Sequence, residues 1–202
     1  MVINKKDYKL AIEYLLDDEV VALPTETVMG LAIKASSLEA YDKLVEVKNR
    51  PSNKAFPFVV SSVEEIKKYA EVDEVVEKVI KAFMPGPLTI ILKKKDCVSD
   101  KVTNGKDTIA IRIPLDSTLL KIVKGLKEPI LLTSANKSGE DSALSSEEVV
   151  DIFNEEIPLV VKGKCKYNLA STIVEIKDKS VNIIREGIIK KEEIERIIKV
   201  CE

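Results

Sequence analysis

Apolar positions recur along this chain with two periods, one helical and one extended. Over residues 4–18, Tyr8, Ala11, Ile12, Leu15 and Leu16 fall on one helical face, with Asn4 placed as the N-cap. Glu19–Leu23 then reads as a short buried strand stopped by Pro24. Ser36-Ser-Leu-Glu39 is a capping-box pattern. It opens a helix with Leu38, Tyr41, Leu44 and Val45 on its inner face, running out near Lys48 before Pro51. Phe56–Val60 is a strand candidate in which Pro57 marks the start or an edge. Ser62 and Asp73 cap two further helices, the second reaching about Phe83. Leu88–Leu92 and Thr108–Ile113 are strands by their β-branched content. Asp116 caps a helix over 117–124, Ile130–Leu132 is a strand, and Ser145 opens another helix. Strands near 159–162, 171–176 and 181–184 precede a final helix from about 190.

Strands and helices alternate, but not strictly. Consecutive strands near 88–113 and 159–184 imply antiparallel pairs within a mixed sheet. With no internal repeat and no linker, residues 1–202 are expected to form a single α/β domain. Hydrophobic residues make up 45% of the chain, enough for a core, yet no apolar run approaches the ~20 residues of a membrane span. Met1–Asp7 lacks the apolar segment of a signal peptide, so the cytoplasm is the expected location.

Composition excludes several chemistries. The chain has no histidine, which rules out Ser-His-Asp and Cys-His catalysis and histidine-ligated metals. Cys97, Cys165 and Cys201 are scattered and form neither a disulfide framework nor a zinc knuckle, so no protein-ligated metal is expected. A net charge of −2 gives no global footprint for nucleic acid. Neither GxxxxGK[ST] nor GxGxxG occurs, so a bound nucleotide would need another cradle.

Five polar stretches nevertheless follow or interrupt apolar strands. They are Leu23–Gly30 (LPTETVMG), Lys48–Lys54 (KNRPSNK), Met84–Pro87 (MPGP), Thr108–Arg112 (TIAIR), and Ser171–Val174 (STIV) with Arg185–Gly187 (REG). Each alone reads equally as a capped turn, a helix end or a strand end. In TIAIR, Thr108, Ala110 and Arg112 share one face at period two, and Ile109, Ile111 and Ile113 the other. Lysine outnumbers arginine by 28 to 4. Three of those four, Arg50, Arg112 and Arg185, lie in these stretches, where a planar fork matched to carboxylate and phosphate would matter. Together they point to one shared anion-binding site.

In their order, PTETVMGL, KNRP, MPGPLT, TIAIRIP, TSANKSG, STIVEI and REG resemble the YrdC-like family of threonylcarbamoyl-AMP synthases, in its short stand-alone form, over about residues 15–190. The resemblance implies a twisted mixed sheet with flanking helices around a large basic concavity. It implies condensation of L-threonine, bicarbonate or CO2, and ATP with Mg2+ into threonylcarbamoyl-AMP and pyrophosphate, for the N6-threonylcarbamoyl modification of adenosine 37 in tRNA. Matched motif by motif, Thr25, Arg112 and Ser171 correspond to threonine-binding positions. Arg50, Lys54, Thr108, Ser134, Asn136, Ser142 and Arg185 correspond to ATP-binding positions, and Lys48, Arg50 and Arg185 to the catalytic ones. Three positions depart from the family pattern: Met29 in place of tyrosine, Ala32 in place of glycine, and Val59 in place of a histidine found in longer relatives. The implied partners are the proteins that transfer the product to tRNA, with little direct tRNA binding and no membrane. An RNA-binding module using the concavity directly is the alternative, opposed by an aromatic content of 4%.

Overall fold

Side-chain caps start most of the helices in the structure, a computed structural model that describes residues 1–49 and 55–199. After β1 (Val2–Ile3) and a 3-10 turn, the chain forms α1 (Tyr8–Leu16), β2 (Val21–Leu23), β3 (Gly30–Lys34), α2 (Leu38–Lys48) and β4 (Phe58–Val59). There follow α3 (Val63–Tyr69), α4 (Glu74–Phe83), β5 (Leu88–Lys93), α5 (Asp100–Thr103), β6 (Thr108–Arg112), α6 (Ser117–Leu126) and β7 (Ile130–Ser134). The last elements are α7 (Ser146–Phe153), β8 (Leu159–Val161), β9 (Thr172–Lys177), β10 (Ser180–Arg185) and α8 (Lys191–Lys199). Ser37, Ser62, Asp73, Asp116 and Ser145 accept backbone N–H bonds at the starts of α2, α3, α4, α6 and α7. Each such cap stabilises its helix by about 1 kcal/mol. Asn4 makes no such bond, because the first turn, Lys5–Asp7, winds as 3-10 helix.

Ten strands form one mixed sheet in the order β1-β8-β2-β3-β7-β4-β6-β5-β9-β10. The expected antiparallel pairing holds for β5 with β6 and for β9 with β10. It does not extend to β8, which lies parallel between β1 and β2 at the far side of the sheet. Pro57 marks the start of a strand and not a sheet edge. β4 runs between β6 and β7, and the Pro57 carbonyl accepts from Leu132 N just ahead of it.

Helices cover the two faces unequally. On one face α2, α4, α7 and α8 bury Leu44, Val79, Ile80, Phe153 and Ile194 over Ile33, Ile90, Ile109, Ile111 and Val174. On the other, α1 and α6 bury Ala11, Leu15, Ile122 and Val123 over Val21, Leu23, Ala32, Ile130 and Leu159. Among the described residues, none from β5, β6, β9 or β10 joins this second cluster. That part of the face is left without a helical cover, and the candidate site lies there.

Candidate active site

Strand register builds the floor of the site. Val59 of β4 pairs with Arg112 of β6; Thr89 of β5 pairs with Ile173 of β9, which pairs in turn with Arg185 of β10. Thr108, Ala110 and Arg112 all line a cavity of about 520 Å³, while Ile109, Ile111 and Ile113 are buried on the opposite face, as the period-two reading of β6 requires. The walls come from the β2–β3 loop (Thr25, Thr27, Met29), the end of β7 (Thr133, Ser134), the approach to β9 (Ala170, Ser171) and Arg185.

One end of the cavity is a pre-formed network of hydroxyls and guanidinium groups. Thr25 Oγ1 donates to the Val28 carbonyl at 2.7 Å and accepts from Thr27 N at 3.0 Å, which fixes the loop that carries it. Arg112 is 6% exposed. Its Nε donates to the Gly86 carbonyl at 2.8 Å, one terminal nitrogen to Thr27 Oγ1 at 3.3 Å, and the other to Glu26 Oε1. Burial lowers the pKa of this guanidinium, and the Glu26 carboxylate opposes that shift. The rigid MPGP turn therefore supplies a carbonyl that anchors Arg112. Across the cavity Ser171 Oγ lies 2.9 Å from Thr89 Oγ1, and Arg185 donates to the Ser171 carbonyl and hydroxyl at 2.8–3.0 Å. Gly187 makes that approach possible, since a Cβ there would meet Thr172 N at 2.4 Å and the Ala170 carbonyl at 2.5 Å. Arg185 is exposed as a residue, but its guanidinium is partly withdrawn over Ser171. Desolvation, and second the charge of Arg112, lower its pKa.

The loop after β7 is organised differently. Lys48, at the end of α2, is 1% exposed and donates to the Ser134 carbonyl at 2.6 Å, the Asn136 carbonyl at 2.7 Å and Asn136 Oδ1 at 3.1 Å. Asn136 Oδ1 also accepts from Ser134 Oγ at 2.6 Å, and its amide nitrogen donates to the Lys137 and Glu140 carbonyls at 2.8 Å. Gly139, at φ +96°, turns the chain away. Met29 and Ala143 close the loop onto β3: Met29 N donates to the Ala143 carbonyl and Ala135 N to the Met29 carbonyl.

Six of the expected site residues thus meet at the cavity: Thr25, Thr108, Arg112, Ser134, Ser171 and Arg185. Lys48 and Asn136 lie behind its wall and hold the loop that presents Ser134, while Ser142 is half-buried and outside the lining. Three protein acceptors surround the Lys48 ammonium and tie the end of α2 to this loop. Arg50 and Lys54 fall outside the described residues. Sequence reasoning passed over Glu26, Thr27, Thr89 and Lys106. Glu26 was visible as an acid between two threonines, while Lys106 lies in the loop ahead of β6, where no period applies. The departures also sit at or near the cavity: Met29 and Val59 line it, and Ala32 pairs with Val21 and Leu132 beneath α1 and α6.

A cavity of this size, walled by short hydroxyls and two anchored guanidinium groups beside an apolar floor, suits a small anionic ligand. The chain defines itself accordingly as a mixed α/β protein with a candidate small-molecule site on the uncovered part of its sheet. The protein belongs to the Sua5/YciO/YrdC family, described as telomere recombination, whose pattern it matches over residues 13–187. It is 37% identical over 199 residues to a putative threonylcarbamoyl-AMP synthase of Methanocaldococcus jannaschii, an alignment covering 96% of this chain and 94% of that one. Its fold superposes with a TM-score of 0.93 on the crystal structure of Pyrococcus abyssi Sua5 complexed with L-threonine. That likeness is 32% identical and covers 98% of this chain and 61% of the other, so the chain spans under two thirds of that relative's length. Escherichia coli YciO shares the fold at a TM-score of 0.87 and 22% identity, covering 96% of this chain and 98% of that one.

Proposed function

We propose that the protein is an L-threonylcarbamoyladenylate synthase. The observation that carries this reading is the gathering of Thr25, Arg112, Ser171, Thr108, Ser134 and Arg185 on the wall of a single cavity, with Thr25 and Arg112 at one end and Ser171, under Arg185, across from them. The kinship to proteins named threonylcarbamoyl-AMP synthase supports it. In this account the threonine carboxylate is held by Arg112, with Thr25 and Ser171 around the amino acid. The neutral amine nitrogen bonds to the carbon of CO2, formed from bicarbonate by loss of hydroxide; the hydroxide takes the amine proton as water and a carbamate results. A carbamate oxygen then bonds to the α-phosphorus of ATP while the bond to the β-phosphate oxygen breaks and pyrophosphate leaves.

No protein nucleophile or histidine base takes part, because the nucleophile belongs to the substrate. What remains for the protein is positioning and stabilisation of charge developing on phosphate oxygens. Arg185 and Lys106 are cations on the cavity wall suited to that task, and Arg50 and Lys54 are expected to add to them. Mg2+ would enter with ATP as its counter-ion and would offset negative charge on the phosphates. Among the described residues no cluster of three or more acidic or cysteine side chains gathers to cage an ion, and Glu26 is already committed to Arg112. A cavity of about 520 Å³ favours a nucleotide and an amino acid over an RNA strand, which would call for stacking platforms.

Transfer to tRNA would fall to separate proteins. No described helix is long and apolar enough to cross a membrane, and a cytoplasmic site of action is part of the proposal. Incubation with ATP, threonine and bicarbonate, followed by mass spectrometry for the acyl-adenylate, tests the reading. Product is expected only with all three; pyrophosphate release that ignores threonine would overturn it.

A further inference from the structure

Glu26 is the one charged residue of the Leu23–Gly30 stretch, and the proposed reaction leaves it without a task. It is 6% exposed and does not line the cavity. Its Oε1 accepts from both Arg112 and Leu115 N, the latter at 3.0 Å, while its Oε2 is buried with no hydrogen-bond partner. Withdrawing both charges from water is costly, and an unpartnered oxygen adds to that cost, so fold stability is a weak reason for such a pair.

What the pair does supply is orientation and charge balance. Arg112 has five N–H donors. One each from Nε and the two terminal nitrogens is committed to Gly86, Thr27 and Glu26. Among the described residues this leaves one N–H on each terminal nitrogen without a protein acceptor, in a guanidinium that lines the cavity. Two such donors suit the two oxygens of a carboxylate. The Glu26 charge cancels that of Arg112, so this end holds an anion by geometry and not by excess positive charge. Multiply charged phosphates gain little there and are left to Lys106 and to Arg185, which sits across the cavity over Ser171; neither has a carboxylate partner among the described residues.

We infer that Glu26 is a positioning and specificity-determining residue that makes Arg112 a carboxylate-selective site and keeps phosphate out of the threonine end. This rests on the functional reading above. The test is calorimetric titration of threonine, ATP and inorganic phosphate into the wild-type chain, Glu26→Gln, Arg112→Met and the double variant. Glu26→Gln is expected to weaken threonine by roughly tenfold or more and ATP by less than about twofold, because the fork loses its anchor while the phosphate contacts stay. Phosphate should then compete with threonine in Glu26→Gln and not in the wild type. A purely structural Glu26 would lower the denaturation midpoint and leave both the threonine-to-ATP ratio and the phosphate competition unchanged, which would overturn the inference. If Glu26→Gln does not fold, Arg112→Met and the double variant decide the matter. Equal threonine affinities are expected, since Glu26 acts through Arg112, and a further loss in the double variant would overturn it. A wild-type chain that fails to bind threonine would overturn the functional reading, and this inference with it.

Discussion

Two buried cations stand on either side of this cavity wall, and they are neutralised in opposite ways. Arg112 lies on a strand and faces a carboxylate; Lys48 ends a helix and faces carbonyl oxygens and one side-chain amide oxygen. The guanidinium has enough donors to be anchored at three points and still offer two to a ligand. The ammonium has three, and three acceptors surround it. Burial alone therefore does not identify a binding residue. The count of donors left after anchoring is what differs between the two: Arg112 keeps two N–H groups without a protein acceptor among the described residues, and Lys48 directs its donors at the loop after β7.

That contrast can be broken by substitution. Arg112→Lys should have the largest effect, lowering kcat/KM for threonine-dependent pyrophosphate release by roughly 10²–10³, because a lysine cannot keep three anchors and the fork. A comparable loss is expected for Arg50→Lys if the arginines are used for their geometry; an activity close to wild type in that variant would confine the argument to Arg112 and Arg185. Lys48→Met should act mainly on folding. It takes a donor from the Ser134 carbonyl, which keeps Asn136 N, and from the Asn136 carbonyl, at a cost of about 1–3 kcal/mol, read from urea denaturation with the threonine KM little changed. A threonine KM raised as far as in Arg112→Lys would contradict the role as brace.

Exposed charges give the smallest effects. Arg196 is exposed on α8, and Arg196→Lys should leave turnover within experimental error. Glu77 is held by Lys67 at 2.7 Å and Lys81 at 2.8 Å, and these bonds bring its pKa down to about 2. A depressed carboxylate pKa contributes stability above the unfolded value of 4.5 that is lost as pH falls through about 2. Glu77→Gln should therefore lower the denaturation midpoint slightly at pH 7 and remove that increment of acid dependence. A large shift would mean that surface pairs carry more weight than the buried one.

Where regular geometry decided the outcome, the sequence was legible. The period of two in Thr108–Arg112 separated cavity from core correctly, and the caps at Ser62, Asp73, Asp116 and Ser145 placed four helix starts; the box at Ser36–Glu39 marked the start of α2 one residue early, since Ser37 is the cap. β3 escaped because both its faces are buried, so Gly30–Ile33 shows no alternation to read. β1 has only two residues, and its pairing with β8 joins opposite ends of the chain. The candidate site divides the same way. Residues held by strand register reached the cavity as expected. Lys48 and Asn136 did not, because their directions are set by loop hydrogen bonds between residues up to 88 positions apart, which no local pattern encodes. Glu26 went unassigned for the same reason, since its partner Arg112 is 86 positions away.

The central claim is that one cavity holds threonine at the Arg112 end and the nucleotide along the rest of its wall, and joins them. Its most direct test is the acyl-adenylate itself, quantified by mass spectrometry with each of threonine, bicarbonate and ATP withheld in turn, for the wild-type chain and Arg112→Lys. The account predicts product only when all three are present, and at least tenfold less of it from Arg112→Lys at limiting threonine, by roughly the loss of one preorganised contact. Product that forms without threonine, or equally well in Arg112→Lys, would contradict it.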